Sequence, residues 1–267
     1  MDARDVEWVD EAVAHMSSSE RFSYEWRIFN WIVPEYEMQF LKWVYPYTPK
    51  DFKNKSVLDA GCGIGRNSFW PLKYGARRVV AFDFDKKTVA VARKNLKPFS
   101  TASVIYNSIY NIDYANSFDI VMCIGVLHHL EFPKKALKNL IGAAKKGGTI
   151  ILWVYGYEGN EWIVRYINPL RRVTSWMPLR LTYLISLIFT IPMYCYVKLF
   201  PQKQLYLKQL AVFKFWHIHS IIFDQLIPQI AHYWKKKEIN AICEECGLTR
   251  LKLHRVNNNS WNVIGTK

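Results

Sequence analysis

From Lys55 onward the chain alternates short β-rich runs with helical stretches, and this restricts its fold more than any other feature. SVLDA, RRVVAFD, ASVIYN, FDIVMCIG and TIILWVY are separated by NSFWPLKYG, KKTVAVARKNL and PKKALKNLIGAAKKGG. Parallel strands need long crossovers, usually helices, so the alternation predicts a parallel sheet covered on both faces. KKKEINAICEECG predicts a further helix ended by Gly247. LTRLKLHRV and SWNVIGTK predict two closing strands joined at Asn257-Asn258-Asn259.

Two segments break this rhythm. Residues 1–48 place large aromatics (Trp8, Phe22, Tyr24, Trp26, Phe29, Trp31, Tyr36, Phe40, Trp43) near helical spacing, which predicts helices with one wide apolar face, closed by Pro46 and Pro49. Residues 156–228 are aromatic, contain several prolines and carry eight basic against three acidic residues, so they read as an insertion. The expected organisation is a helical lid over 1–48, a core over 49–155, an inserted substrate cap over 156–228, and a helix with strands over 229–267 that complete the core. Residues 181–200, LTYLISLIFTIPMYCYVKLF, match the roughly 20 residues that span a bilayer. They carry Pro192, three tyrosines and Lys198, which favours a lid over an anchor and leaves a peripheral membrane contact open.

Composition narrows the class. With 51% hydrophobic, 16% aromatic and 22% charged residues the chain is globular rather than disordered. The excess of 36 Lys and Arg over 22 Asp and Glu, a formal +14, favours anionic partners. Cys62, Cys123, Cys195, Cys243 and Cys246 show no paired framework, and MDARDVEW lacks the layout of a signal peptide, so a cytoplasmic setting is expected.

The sharpest local signal is Val57-Leu58-Asp59-Ala60-Gly61-Cys62-Gly63-Ile64-Gly65, a strand that turns through glycines into a helix. Glycines let a ligand approach the backbone, and the helix start offers free N–H groups. Asp83 follows 22 residues after Gly61, where a second-strand carboxylate can accept both ribose hydroxyls of a nucleoside. A dinucleotide fingerprint starting at Gly61 would need glycine where Arg66 stands. Asp59 would oppose a pyrophosphate but could hold an ammonium group. S-adenosylmethionine offers an ammonium, a ribose and an adenine, and no phosphate.

On these residues the chain resembles the class I S-adenosylmethionine-dependent methyltransferases, in particular the small-molecule type related to ubiquinone and menaquinone biosynthesis. The resemblance covers residues 55–155 strongly and 235–267 weakly. It implies an α/β, Rossmann-like, doubly wound, seven-stranded and mostly parallel sheet, with S-adenosyl-L-methionine as cofactor and S-adenosyl-L-homocysteine as product. It further implies that Asp59, Ala60, Gly61 and Gly63 wrap the methionine part, that Asp83 binds the ribose, and that Phe84 packs on adenine. Asn107 stands where the family usually has an acid at the adenine amino group, with Ser108 and Ile109 beside it. Ile124-Gly125-Val126-Leu127-His128-His129-Leu130 resembles the strand-four segment beneath the methyl group, and Lys146-Gly147-Gly148-Thr149 the turn into strand five. Phe22-Ser23-Tyr24-Glu25-Trp26 resembles an aromatic lead-in that folds over the cofactor, which adds Tyr24 and Trp26.

Methyl transfer needs alignment and exclusion of water, for which Tyr24, Trp26, Tyr155 and Tyr157 are candidate walls. A hydroxyl or amine acceptor must also lose a proton, and His128 and His129 are the candidate catalytic bases. Adjacent residues at a strand end point in opposite directions, so His128 is expected to face the pocket and His129 to pack. No metal is expected: His217 and His219 lack a third ligand, and Cys243 and Cys246 lack a second pair. Asp224 is an isolated acid in an apolar run that could orient a substrate or a histidine. The expected acceptor is a small molecule, amphiphilic or anionic, such as a lipid-linked sugar, a glycan or a quinone precursor. Nucleic acid is not expected, since the positive charges are dispersed. The alternatives are an RNA methyltransferase, a nicotinamide oxidoreductase, and a binding protein without catalysis.

Overall fold

The computed structural model describes residues 18–267, so Trp8 and the start of the expected lid lie outside the described residues. The helices are α1 (Ser18–Ile28), α2 (Glu35–Val44), α3 (Pro49–Phe52), α4 (Arg66–Lys73), α5 (Lys86–Leu96), α6 (Pro133–Ala143), α7 (Asn168–Thr174), α8 (Leu179–Leu199), α9 (Leu205–Val212), α10 (Phe215–Leu226) and α11 (Lys236–Glu245). The strands are β1 (Ser56–Ala60), β2 (Arg78–Asp83), β3 (Ala102–Tyr106), β4 (Phe118–Ile124), β5 (Ala144–Tyr155), β6 (Thr249–Val256) and β7 (Ser260–Thr266). They form one sheet in the order β3-β2-β1-β4-β5-β7-β6. Pairings are parallel from β3 to β5, while β7 runs antiparallel to both β5 and β6.

Burial explains this arrangement. Every residue of β1 is buried, as suits a central strand with helices on both faces. On one face Ala136, Leu137 and Leu140 of α6 pack with Val121 and Leu152; on the other Trp70 and Leu96 pack with Val57 and Met122. The β6–β7 hairpin turns through the three residues Asn257–Asn259 between the paired Val256 and Ser260, with Asn257 and Asn258 at positive φ, 50° and 60°, and Asn259 donating its N–H to Val256 O at 3.1 Å. β5 starts at Ala144, ahead of the turn expected at Lys146–Thr149. Its first residues are irregular, with Gly147 at φ 73° and a register shift opposite Phe118 to Ile120.

The excursion after β5 begins and ends at one point. Tyr157 donates its N–H to Trp234 O at 3.0 Å, and Trp234 donates to Tyr155 O at 3.1 Å. This clasp returns the chain beyond residue 228, where composition alone sets the boundary. Within the excursion α8 and α10 pack together, and α1 crosses to meet them through Tyr24, Phe29, Leu179, Phe223 and Ile227.

Candidate active site

The strand order reverses between β1 and β4, so the loops leaving their carboxyl ends diverge and open a crevice. The crevice continues between α1 and the cap as a cavity of about 1310 Å³. Ligand sites usually hold roughly 300–1,000 Å³, so this one has room for a cofactor and part of a second molecule.

Its floor is the glycine turn. Gly61 and Cys62 both donate to Phe82 O at 2.9 Å, which draws the end of β1 against β2. Gly61 has φ 72°, and a Cβ there would lie 2.5 Å from Val126 Cγ2, so only glycine fits. Gly63 donates its N–H to Asp83 Oδ2 at 3.0 Å, and Asp85 donates to Asp83 Oδ1 at 3.2 Å. Burial raises the Asp83 carboxyl to about 6 against these backbone donors. Phe84, exposed, stacks on Tyr106 with centroids 5.9 Å apart, and Asn107, Ser108 and Ile109 continue the same wall. Asn107 keeps its amide oxygen on the Ser108 N–H at 2.8 Å.

Asp59 and Ala60 lie beneath the turn, fully buried, rather than on the cavity surface. Ser68 donates its hydroxyl to Asp59 Oδ2 at 2.5 Å, while Oδ1 is buried with no partner among the described residues. Burial, with the nearby Asp83 charge, lifts Asp59 to about 7 despite the Ser68 bond. Above it Arg66, the first residue of α4, points its guanidinium at the rings of Trp26, Tyr36 and Trp43, each 5.1–5.4 Å away. Burial and the neighbouring Asp224 charge hold Glu25 well above the usual carboxylate range, against the pull of Arg66. Asp224 is raised to about 6 by burial, against the pull of Arg66 and Arg171. These groups come from α1, α2, α4 and α10, and Glu25, Trp26, Trp43, Arg66 and Asp224 line the cavity.

The far wall is Trp153, Tyr155, Tyr233 and His129. Gln225 donates to Tyr155 Oη at 3.1 Å, and Arg171 donates to Tyr233 Oη at 3.0 Å. Burial pushes the Tyr155 hydroxyl well above its ordinary value.

Here the structure reverses the expected orientation of the histidine pair. His128 and His129 belong to a 3-10 turn, Leu127–His129, not to the end of β4. At three residues per turn successive side chains diverge by about 120°, not 180°, and the two rings sit 4.3 Å apart. His129 lines the cavity with its Nδ1 2.7 Å from Ile230 O, whereas His128 is fully buried behind it, stacked on Tyr155 at 3.8 Å. Burial lowers His128 well below its ordinary value and His129 to about 3. Both imidazoles are therefore neutral at pH 7 and weak proton acceptors. Neither His128 ring nitrogen has a partner among the described residues. His128→Phe should therefore preserve or raise Tm, whereas His128→Ala should cost about 2–4 kcal/mol in denaturant unfolding through the cavity it leaves.

Among the other expected residues, Gly61, Gly63, Asp83, Phe84, Asn107, Ser108, Ile109, Ile124 and Trp26 line one cavity. Tyr24 does not: it packs on Phe223, 6.2 Å between centroids, on the opposite side of α1. Tyr157 also lies outside, beneath the Lys235 ammonium at 5.2 Å. His217 and His219 separate, the first stacked on Phe213 at 4.8 Å and the second with Nδ1 3.0 Å from Thr190 Oγ1. Arg66 and Glu25 also line the cavity, which the sequence does not mark: Arg66 only breaks the dinucleotide fingerprint, and Glu25 is a lone acid inside an aromatic run.

The family described as Methyltransferase domain matches residues 58–152. The tRNA U34 carboxymethyltransferase of Helicobacter acinonychis (strain Sheeba) is 35% identical over 118 residues, 42% of this chain and 45% of that protein. The same-named protein of Campylobacter hominis is 33% identical over 114 residues, 42% of this chain and 40% of that one. The chain thus matches less than half the length of these curated relatives. In fold it is similar to the magnesium protoporphyrin IX methyltransferase of Synechocystis PCC 6803, with a TM-score of 0.54, 15% identity, and 91% and 93% of the two chains covered. Residues 58–152 therefore match the Methyltransferase domain family, and the two carboxy-terminal strands extend the same seven-stranded sheet beyond the matched segment.

Proposed function

We propose that this chain transfers a methyl group from S-adenosylmethionine to an acceptor held beneath α1 and the cap. The observation that carries this reading is the single cavity joining the Asp83 wall to the chamber of Glu25, Asp224 and Tyr155. The residues present fit the cofactor: Asp59 Oδ1 is a buried acceptor without a partner among the described residues, and the turn above it admits only glycine at Gly61. Asp83 would take the ribose hydroxyls, Phe84 and Ile109 would flank the adenine, and Asp59 would offset the ammonium from below. Arg66, at the start of α4, would face the carboxylate. When bound, the cofactor supplies a methyl group on a positively charged sulfur. Trp26, Trp153 and Tyr155 exclude water from the centre of the cavity and present aromatic faces to positive charge. For an acceptor that must lose a proton, Glu25 and Asp224 are better placed by basicity than the two histidines, because burial raises the carboxyls and depresses the imidazoles.

The names of the curated relatives favour an RNA acceptor over the small molecule expected from sequence, and they remove the support for excluding nucleic acid. The formal +14 charge agrees with that reading. An amphiphilic small molecule is the second reading, favoured by the buried acids and rings of the chamber. Incubation with methyl-tritiated cofactor and either total tRNA or an organic-solvent extract tests the two. Label in acid-precipitable RNA supports the first, and label only in the extract replaces it with the second.

Cofactor affinity should depend on pH. Asp59 and Asp83 are raised to about 7 and 6 without ligand, and a cationic ammonium above them favours their ionised forms. Binding at low pH must therefore release protons, so affinity should climb as pH rises from 5 toward 7 and level off above it. Calorimetric titration across this range checks the trend, and Asp59→Asn should flatten its upper part.

A further inference from the structure

The longest helix of the cap is inverted in polarity. On α8 the buried stripe contains Thr182, Ser186 and Thr190, of which Ser186 and Thr190 meet His219 of α10. The outward stripe is Leu181, Leu184, Ile188, Ile191, Cys195 and Leu199, at steps of three and four residues. Leu184, Ile188 and Leu199 are 58, 68 and 74% exposed, whereas water-facing helices put such residues inside. Val173 and Trp176 before the helix, and Phe200, Leu205, Val212 and Trp216 after it, are also exposed and enlarge the apolar surface.

Charge indicates what covers this face. From Trp162 to Phe223, 62 residues contain no Asp or Glu and eight Lys or Arg. Arg165 and Arg172 precede α8, Lys198 lies in its last turn, and Lys203, Lys208 and Lys214 follow it, all exposed. A second copy docked face to face would bring these like charges together, and an anionic bilayer surface would neutralise them.

The sheet excludes a spanning helix. α8 has 21 residues, about 30 Å, enough to cross. A single crossing would put β5 and β7 on opposite sides of the membrane, yet these strands are hydrogen-bonded neighbours. α10, with 12 residues or about 18 Å, is too short to return the chain.

We infer that the outer face of α8 docks flat on an anionic lipid bilayer, with Leu184, Ile188 and Leu199 in the acyl boundary and the flanking lysines and arginines at the headgroups. Lys203 and Leu205, just beyond α8, also line the cavity, so docking sets the cavity mouth beside the lipid surface. The docking does not depend on methyl transfer.

The test uses the full chain with sedimenting vesicles of phosphatidylcholine, or of an equimolar mixture with phosphatidylglycerol, and with total tRNA in parallel. The chain should sediment with the mixed vesicles, less so at high salt, and only weakly with phosphatidylcholine. Leu184→Glu combined with Ile188→Glu should reduce vesicle partition at least about tenfold. Because both side chains point outward, Tm and S-adenosylmethionine affinity should not change, which separates this result from failure of the methyltransferase reading. The inference is overturned if the chain ignores anionic vesicles, or if the same substitutions instead abolish self-association or tRNA binding. Resistance of the bound chain to alkaline extraction would also overturn it, by indicating a spanning segment.

Discussion

Asp83→Ala is expected to weaken S-adenosylmethionine binding by about ten to more than a hundredfold in calorimetry, the equivalent of about 1.5–3 kcal/mol for hydrogen bonds to a charged group. The carboxylate has two tasks, which is why the upper part of this range is expected. It faces the cavity where ribose hydroxyls would lie, and it holds the Gly63 and Asp85 N–H groups that shape the turn. Asp83→Asn should recover part of the loss, because an amide oxygen can still accept from one of these donors. An affinity within about twofold of the parent in Asp83→Ala would remove this residue from the site.

The second large effect is expected at Arg21, which ties α1 to the cap. Its guanidinium is fully buried and donates to Ile227 O at 2.8 Å, Thr174 O at 2.9 Å and Met177 O at 3.3 Å. Burial lowers it to about 10, so it still carries its proton at neutral pH. Arg21→Ala removes the guanidinium from three carbonyls, of which Thr174 O keeps the Met177 N–H and the Thr182 hydroxyl, and opens a space among them, at a cost of about 3 kcal/mol or more. If the cap and core unfold together, Tm should fall by roughly 6–12 °C for a chain of this size. If the cap loosens alone, limited proteolysis should cut within residues 157–233 before the core, and cofactor affinity should fall as the cavity opens. An unchanged Tm with an unchanged cleavage pattern would show that the Arg21 contacts contribute nothing.

Several features of the site were legible because they are local. A tight turn after a buried strand needs glycine, so Gly61 and Gly63 mark the floor, and Asp83 at the end of the next strand is carried beside them by parallel pairing. The inserted character of the cap is equally local, since its composition differs from that of the strands and helices around it. Other features are relations between distant segments. Tyr24 and Trp26 are two residues apart, about 200° around a helix, so one must face away from the cavity. Only the path of α1 across the core makes Phe22, Glu25 and Trp26 the inner face. The histidines depend on a 3-10 turn in which no residue signals that His128 will stack on Tyr155 while His129 meets it edge-on.

The sequence by itself determined the succession of strands and helices along the chain, the closing pair of strands, and the glycine turn with the acid that follows it. Periodicity and turn chemistry act over a few residues and are written directly in the chain. Tertiary structure alone decided which histidine meets the cavity, that Arg66 sits among three rings, and that Glu25 and Asp224 face each other across nearly two hundred residues of sequence. It also decided that α8 turns its threonines inward and its leucines and isoleucines outward. Each of these depends on which surfaces pack together, and burial then sets the charge state of every group they enclose.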